Sequence, residues 1–289
     1  MHTAPADRSL QVEGRHAHVA DGSTFAPGLR LLPAHVRKSV ESLYRVLRNL
    51  DDLVDEDDPR ASERVQAVEH WARNQQADTP ETRALSELER RQPFPRESLL
   101  QFCAGMRHDI ARESIDSEED FERYCQQAGG SVGIVLANLL GTAGDGDGAM
   151  PHEAVKRKTE IGMATLGRAM QVTNILRDID EDLARGRVYI PRTLIERFGF
   201  PAPGKREELL REQIACADAL YEQGARAIPL LRDGGAAMAL SAALYREILR
   251  QIERDGFGRR PGRTIVPAWR THLLVARYRT ADVLEGLRR

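Results

Sequence analysis

The chain has 289 residues, 41% hydrophobic and 30% charged, with a net charge of −2. That composition fits a water-soluble globular protein with room for a sizeable core, and the near-neutral balance gives no reason to expect nucleic acid as a partner. The three cysteines, Cys103, Cys125 and Cys216, lie far apart without a C-x-x-C, which argues against a disulfide framework or zinc site and for a reducing compartment. No apolar run approaches the ~20 residues that span a bilayer, and MHTAPADRSLQVEGRHAHVADG lacks the apolar core of a signal peptide. Residues 1–22 are read as a disordered leader, residues 23–289 as one all-helical domain, and the protein as cytoplasmic with no transmembrane segment, which leaves room for peripheral membrane contact.

Apolar residues recur at helical spacing almost throughout, and β-branched alternation is nearly absent. Pro33 opens a helix through Leu43, Leu47, Leu50 and Val54, which Pro59 ends. A second helix carries Val65, Val68 and Trp71. QPFP at 92–95 is a break, followed by helices over Leu99–Ile110 and Phe121–Leu140, the latter interrupted at Gly129-Gly130. GTAGDGDGAMP at 141–151 reads as a loop. A long helix runs from about Glu153 to Leu183 and ends at the basic turn ARGRVYIP. A variable connection covers Arg192 to Gly204. Helices through Leu220, Ile228, Leu244 and Ile252 follow, and a last one spans Ala268–Leu287.

Two of these helices carry acidic stripes. In LYRVLRNLDDLVDEDD, Tyr44, Arg48, Asp51 and Asp55 are spaced 4, 3 and 4 apart and share one face. Leu43, Leu47, Leu50 and Val54 form the adjoining stripe, so the acidic face borders the buried one, where a surface helix would oppose it. The stripe alone reads equally as a solvated acidic patch. In QVTNILRDIDEDLARGR, Gln171, Asn174, Asp178 and Asp182 again share a face, flanked by Val172, Ile175, Ile179 and Leu183. Polar groups on an inner stripe need partners, and four of them point to a ligand.

Four aspartates on two facing helices can hold hard divalent cations such as Mg²⁺, which takes oxygen ligands and is usually shared with substrate phosphates. The absence of Glu-x-x-His argues against a di-iron site. Metals between these aspartates would bridge to a diphosphate and make it a better leaving group. Arg48, Arg177, Arg185 and Arg187 can add charge-assisted bonds to its oxygens. The allylic cation left behind needs apolar and aromatic walls that exclude water.

The segments STFAPGLRLLP at 23–33, LYRVLRNLDDLVDE at 43–56, YCQQAGGSVG at 124–133 and QVTNILRDIDEDLARGRVYIP at 171–191 resemble the squalene/phytoene synthase family, over a stretch from Ser23 to about Trp269. The resemblance implies an all-α isoprenoid synthase-type bundle around a central cavity with two facing Asp-rich helices. It implies more than one Mg²⁺ ion on Asp51, Asp55, Asp178 and Asp182 with Asn174. Arg48, Gln171, Asn174, Arg177 and Arg187 would support the diphosphate, Tyr44, Tyr124 and Tyr245 would line the reaction cavity, and Phe25 would lie at an N-terminal flap. The substrates implied are a prenyl diphosphate donor and a second prenyl diphosphate, joined head to head through a cyclopropyl intermediate. A few squalene-synthase-like relatives instead use a small aromatic acceptor. Some members reduce the product with NADPH; no dinucleotide fingerprint indicates it here.

Several positions depart from the family pattern: Pro27, Gly28 and Leu29 in the flap, Val46 and Leu47 before the first motif, Gly129 for the usual Ala, and Asp180 for the usual Gly. None removes an expected metal ligand. Phe102, Phe121 and Trp71 read as core, and the three cysteines as small buried residues. His108 shows no partner pattern. Arg259, Arg260, Arg263 and Arg270 form a basic cluster, read as solvated surface or, more sharply, as a second diphosphate clamp.

Overall fold

The helical period of the sequence is realised in a computed structural model that describes residues 24–76, 78–143 and 152–286. Among the described residues there are twelve α-helices and no β-strand, only an isolated bridge between Thr142 and Leu231. The leader and most of the 141–151 loop lie outside the described residues.

Helix α2 (Ala34–Asp55) starts behind Pro33 and buries Val36, Val40, Leu43, Leu47, Leu50 and Val54. Helix α3 (Ala61–Ala72) buries Val65, Val68 and Trp71. Helices α5 (Arg96–Ala111) and α6 (Glu118–Cys125) follow, the second begun by a reciprocal cap between Ser117 and Asp120. Helix α7 (Ser131–Leu140) is apolar nearly all round, as befits a helix in the interior. Helix α8 (His152–Ala184) has 33 residues and is the longest, about 50 Å at 1.5 Å per residue. It packs against α7, α10 (Glu207–Ala225) and α11 (Gly235–Arg254); α12 (Ala268–Gly286) lies on α11.

Three helices lie where the hydrophobic period showed none. The four-residue α1 (Ala26–Leu29) fits closely on α11: a Cβ on Gly28 would stand 2.1 Å from Ser241 Oγ and 2.9 Å from the Ala237 carbonyl oxygen. The unusual Gly28 therefore serves that contact. Helix α4 (Pro80–Arg91) starts at a Thr79–Thr82 capping box with Pro80 in its first turn. Leu85 and Leu88 are its only buried aliphatics, too few to reveal a period. The short α9 (Arg192–Phe198) occupies the expected variable connection and stops at Gly199, whose φ of 86° suits glycine. Conversely, the helix expected through Ile228 is a 3₁₀ turn, Ile228–Leu230, because Pro229 cannot continue an α-helix from α10.

The interruption at Gly129-Gly130 is a π-helical turn, Gln126–Gly130, joining α6 to α7. It brings backbone against backbone. A Cβ on Gly129 would lie 2.4 Å from the Gly167 carbonyl oxygen, and one on Gly133 would lie 2.1 Å from that of Met163. The buried residues form one connected cluster that includes Trp71, Phe102 and Phe121. Cys103 and Cys125 are buried as expected. Cys216 is exposed, because α10 buries the face of Leu210, Gln213, Ile214 and Ala217 and Cys216 lies off it. No helix among the described residues is long and apolar enough to cross a membrane.

Candidate active site

Helices α2 and α8 hardly touch each other but line one cavity. Val40, Leu43, Tyr44 and Leu47 come from α2. Met163, Leu166, Met170, Gln171 and Asn174 come from α8, with Val132 and Leu136 from α7 and Tyr245 and Met238 from α11. Its volume is about 170 Å³. The walls are apolar except at the end carrying Gln171 and Asn174, two turns and one turn of helix before Asp178. Phe25 stacks on Tyr44 with ring centroids 6.1 Å apart, closing the α1 side.

The stripe pattern has a simple structural outcome. Leu43, Leu47, Leu50 and Val54 are buried while Asp51 and Asp55 are half-buried. The same holds on α8, with Val172, Ile175 and Ile179 buried and Gln171, Asn174, Asp178 and Asp182 half-buried. Arg48 donates to Asp51 at 3.0 Å and lies 2.7 Å from Asp52. Asp178 is gripped by Arg177, with bonds of 2.8 and 2.6 Å, and by Arg263 Nε at 3.2 Å. Asp55 accepts from Arg187, which also donates to the Val54 carbonyl at 2.7 Å and is itself buried. Arg187 follows α8, so this contact ties the second motif to the first. Arg185 stands 3.9 Å from Asp55.

Like charges crowd the remaining carboxylates. Burial, reinforced by Asp55, pushes Asp51 up to about 7. Burial, with Asp178 and the cross-cavity Asp55, pushes Asp182 up to about 7 as well. Tyr245, feeling Arg177, Tyr44 and Asp51, is raised chiefly by burial. The cavity thus brings together Phe25, Tyr44, Gln171, Asn174 and Tyr245, and the aspartate and arginine side chains gather beyond its polar end.

Tyr124 is not among the residues lining that cavity. It is buried, donating to both oxygens of Asp109 at 3.1 Å and stacking on Tyr189 at 5.2 Å. Tyr189 donates to the same carboxylate at 2.9 Å. Burial holds Asp109 up at about 6 although both tyrosines oppose the shift. Asp109 and Tyr189 carried no signal in the sequence, because the cluster is assembled from α5, α6 and the turn after α8. His108 also belongs here, its ring 4.9 Å from Tyr124 and Nδ1 3.2 Å from Glu113. The basic cluster splits: Arg259 and Arg260 are exposed, Arg270 lies 3.5 Å from Glu247, and Arg263 reaches Asp178.

Among the described residues no three His, Cys, Asp or Glu side chains are gathered closely enough to hold a metal ion; Asp55 and Asp178 are engaged by arginines. The donor chemistry nevertheless suits a hard divalent cation. It consists of oxygens only, its carboxylates repel one another, and the buried Oδ1 of Asn174 has no hydrogen-bond partner.

Residues 19–270 match the family described as Squalene/phytoene synthase. A phytoene synthase from Thermus thermophilus is 33% identical, covering 89% of this chain and 88% of its own length. A presqualene diphosphate synthase from Sinorhizobium fredii is 30% identical, covering 70% and 71%. The crystal structure of a dehydrosqualene synthase superposes with a TM-score of 0.77 at 24% identity, covering 95% of this chain and 99% of that one. That of a squalene synthase from Alicyclobacillus acidocaldarius gives 0.68 at 25% identity, covering 86% and 95%. The chain belongs to the squalene/phytoene synthase family and has its all-α isoprenoid synthase-type fold. It is a prenyltransferase that uses prenyl diphosphates, and these relatives do not favour an aromatic acceptor.

Proposed function

We propose that this chain joins two prenyl diphosphates head to head with the help of Mg²⁺, releasing pyrophosphate. The observation that carries this reading is the shared cavity of α2 and α8, apolar along its walls, with Gln171 and Asn174 at one end and four mutually repelling aspartates further along the same two helices. Asp51, Asp55, Asp178 and Asp182, with Asn174 Oδ1, would hold Mg²⁺ together with the diphosphate. When bound, the ions neutralise charge on the leaving group.

The chain's own residues do the rest. Arg48, Arg177 and Arg187 each stand beside one of these carboxylates, so their N–H groups can pass to diphosphate oxygens as the carboxylates take up cations. Gln171 offers a further donor at the polar end. Tyr44, Tyr245 and Phe25 line the cavity, and aromatic rings attract a cation. Leu43, Leu47, Leu136, Met163 and Leu166 exclude the water that would quench it. Tyr124 acts indirectly, through Asp109 and Tyr189.

The test is incubation of purified protein with Mg²⁺ and farnesyl or geranylgeranyl diphosphate. Pyrophosphate and a C30 or C40 product are expected. Pyrophosphate release without any coupled product, whatever the donor length, overturns the head-to-head assignment.

A further inference from the structure

Asp180 sits between Asp178 and Asp182 but does not share their face. Its carboxylate takes two bonds from Arg206, each 2.7 Å, and one from the backbone N–H of Gly262, also 2.7 Å. Arg206 is 4% exposed. Gly258 presses on it so closely that a Cβ there would lie 2.1 Å from its Nε. The Gly258 carbonyl in turn accepts from Gly204 N–H at 3.1 Å. Further along, Thr264 N–H reaches the Arg177 carbonyl at 3.4 Å. The segment from Gly258 to Thr264 is therefore held against Gly204 and Arg206 at its start and bonded to α8 through Gly262 and Thr264, and Arg263 is the residue between those last two anchors. Its Nε stands 3.2 Å from Asp178 and its Nη1 3.3 Å from Glu181.

We propose that Asp180, Arg206 and Gly262 form a latch whose work is to place Arg263 at the diphosphate end of the cavity. Asp180 and Arg206 are positioning residues, and Arg263 is the group that meets phosphate oxygens. The inference rests on the proposed function, since it assigns Arg263 to the same diphosphate. An exposed arginine on a free loop loses considerable rotamer freedom when it binds an anion. Anchoring the backbone on both sides removes much of that cost beforehand. The latch pairs Asp180 with the Arg-Arg-Pro-Gly-Arg turn at 259–263.

The test is a double-mutant cycle on the full chain, reading the affinity for inorganic pyrophosphate in Mg²⁺ by calorimetry. Asp180→Ala should weaken binding about tenfold, as loss of an orienting partner does. In an Arg263→Ala background the same substitution should change nothing further. Gly262→Ala provides a second route: Gly262 has φ 104° and open space around it, so a side chain strains the turn while leaving the buried Arg206–Asp180 pair in place. It should weaken binding in the same coupled way, and it carries the cycle if Asp180→Ala does not fold. Unchanged affinity in either variant, or equal losses with and without Arg263, overturns the latch while leaving the proposed function intact. A wild-type chain that binds no pyrophosphate in Mg²⁺ overturns both.

Discussion

Helices α2 and α8 carry the same chemistry but hold it differently. On α2 the countercharge of Asp51 and Asp52 is local: Arg48 pairs with both one turn away, and all three are about two-fifths exposed. On α8 only Arg177 is local. Arg263 comes to Asp178 and Arg206 to Asp180 from distant parts of the chain, and the buried Arg187 ties the end of α8 back to Asp55. A local pair can be lost with little consequence for the fold, whereas a tertiary pair also fixes where segments lie. The two stripes should therefore respond alike when chemistry is measured and unlike when stability is.

The largest expected effect tests the likeness. Asp51→Ala and Asp178→Ala should each lower turnover by about 10³-fold or more, since each removes a carboxylate proposed to hold the Mg²⁺ that neutralises the leaving group. Pyrophosphate release is the measurement. Near-normal turnover in either variant would assign the chemistry to one helix alone.

Next comes the contact between the helices. Arg187→Ala leaves Asp55 without its guanidinium and removes a cation that favours the ionised form of buried Asp109. Breaking such a pair costs about 3 kcal/mol, measurable as a lower denaturant midpoint with unchanged slope. A loss no larger than that of an exposed pair would show that the two stripes are held independently.

A third effect is set by pH. Asp182 titrates at about 7 in the folded chain, against a usual 3.8. The folded state then binds more protons than the unfolded state between these values, so stability of metal-free protein falls as pH rises from about 4 to about 7 and the penalty persists above. Asp182→Asn should therefore raise Tm at pH near 8 and leave it unchanged near pH 4. Water screening reduces the gain to on the order of 1 kcal/mol, or about 2–4 °C. A pH-independent change in Tm would mean that packing, and not charge crowding, governs this position.

Much of this contrast was readable in the sequence, and what was not has a common cause. The period of α2 and α8 gave both stripes and their neighbouring buried faces, because each is a property of one helix. Phe25, Tyr44, Gln171, Asn174 and Tyr245 meet in one cavity, whereas Tyr124, which the family resemblance implied there too, does not line it. Asp109, Tyr189, Arg206 and Gly262 had no local signature. Their partners lie between 26 and 82 residues away for the key bonds, and no spacing rule reaches that far. Asp180 was visible as a departure from the family pattern, but its meaning depended on Arg206 and Gly262. Helix α4 was overlooked for a different reason: its capping box was present, but a weakly apolar face obscured the period.

The smallest expected effect is the sharpest check on the difference between the helices. Arg48→Gln removes the ion pairs to Asp51 and Asp52, one three and one four residues along the same helix. Pairs of that kind, open to water, contribute a few tenths of a kcal/mol each. Gln keeps most of the aliphatic stem and the helix propensity. Global stability should therefore stay within about 0.5 kcal/mol of wild type, while KM for the prenyl diphosphate rises as one charged donor is lost. A destabilisation comparable to that of Arg187→Ala would show that Arg48 holds tertiary structure as the arginines around α8 do, and the division between a locally encoded and a tertiary stripe would fall.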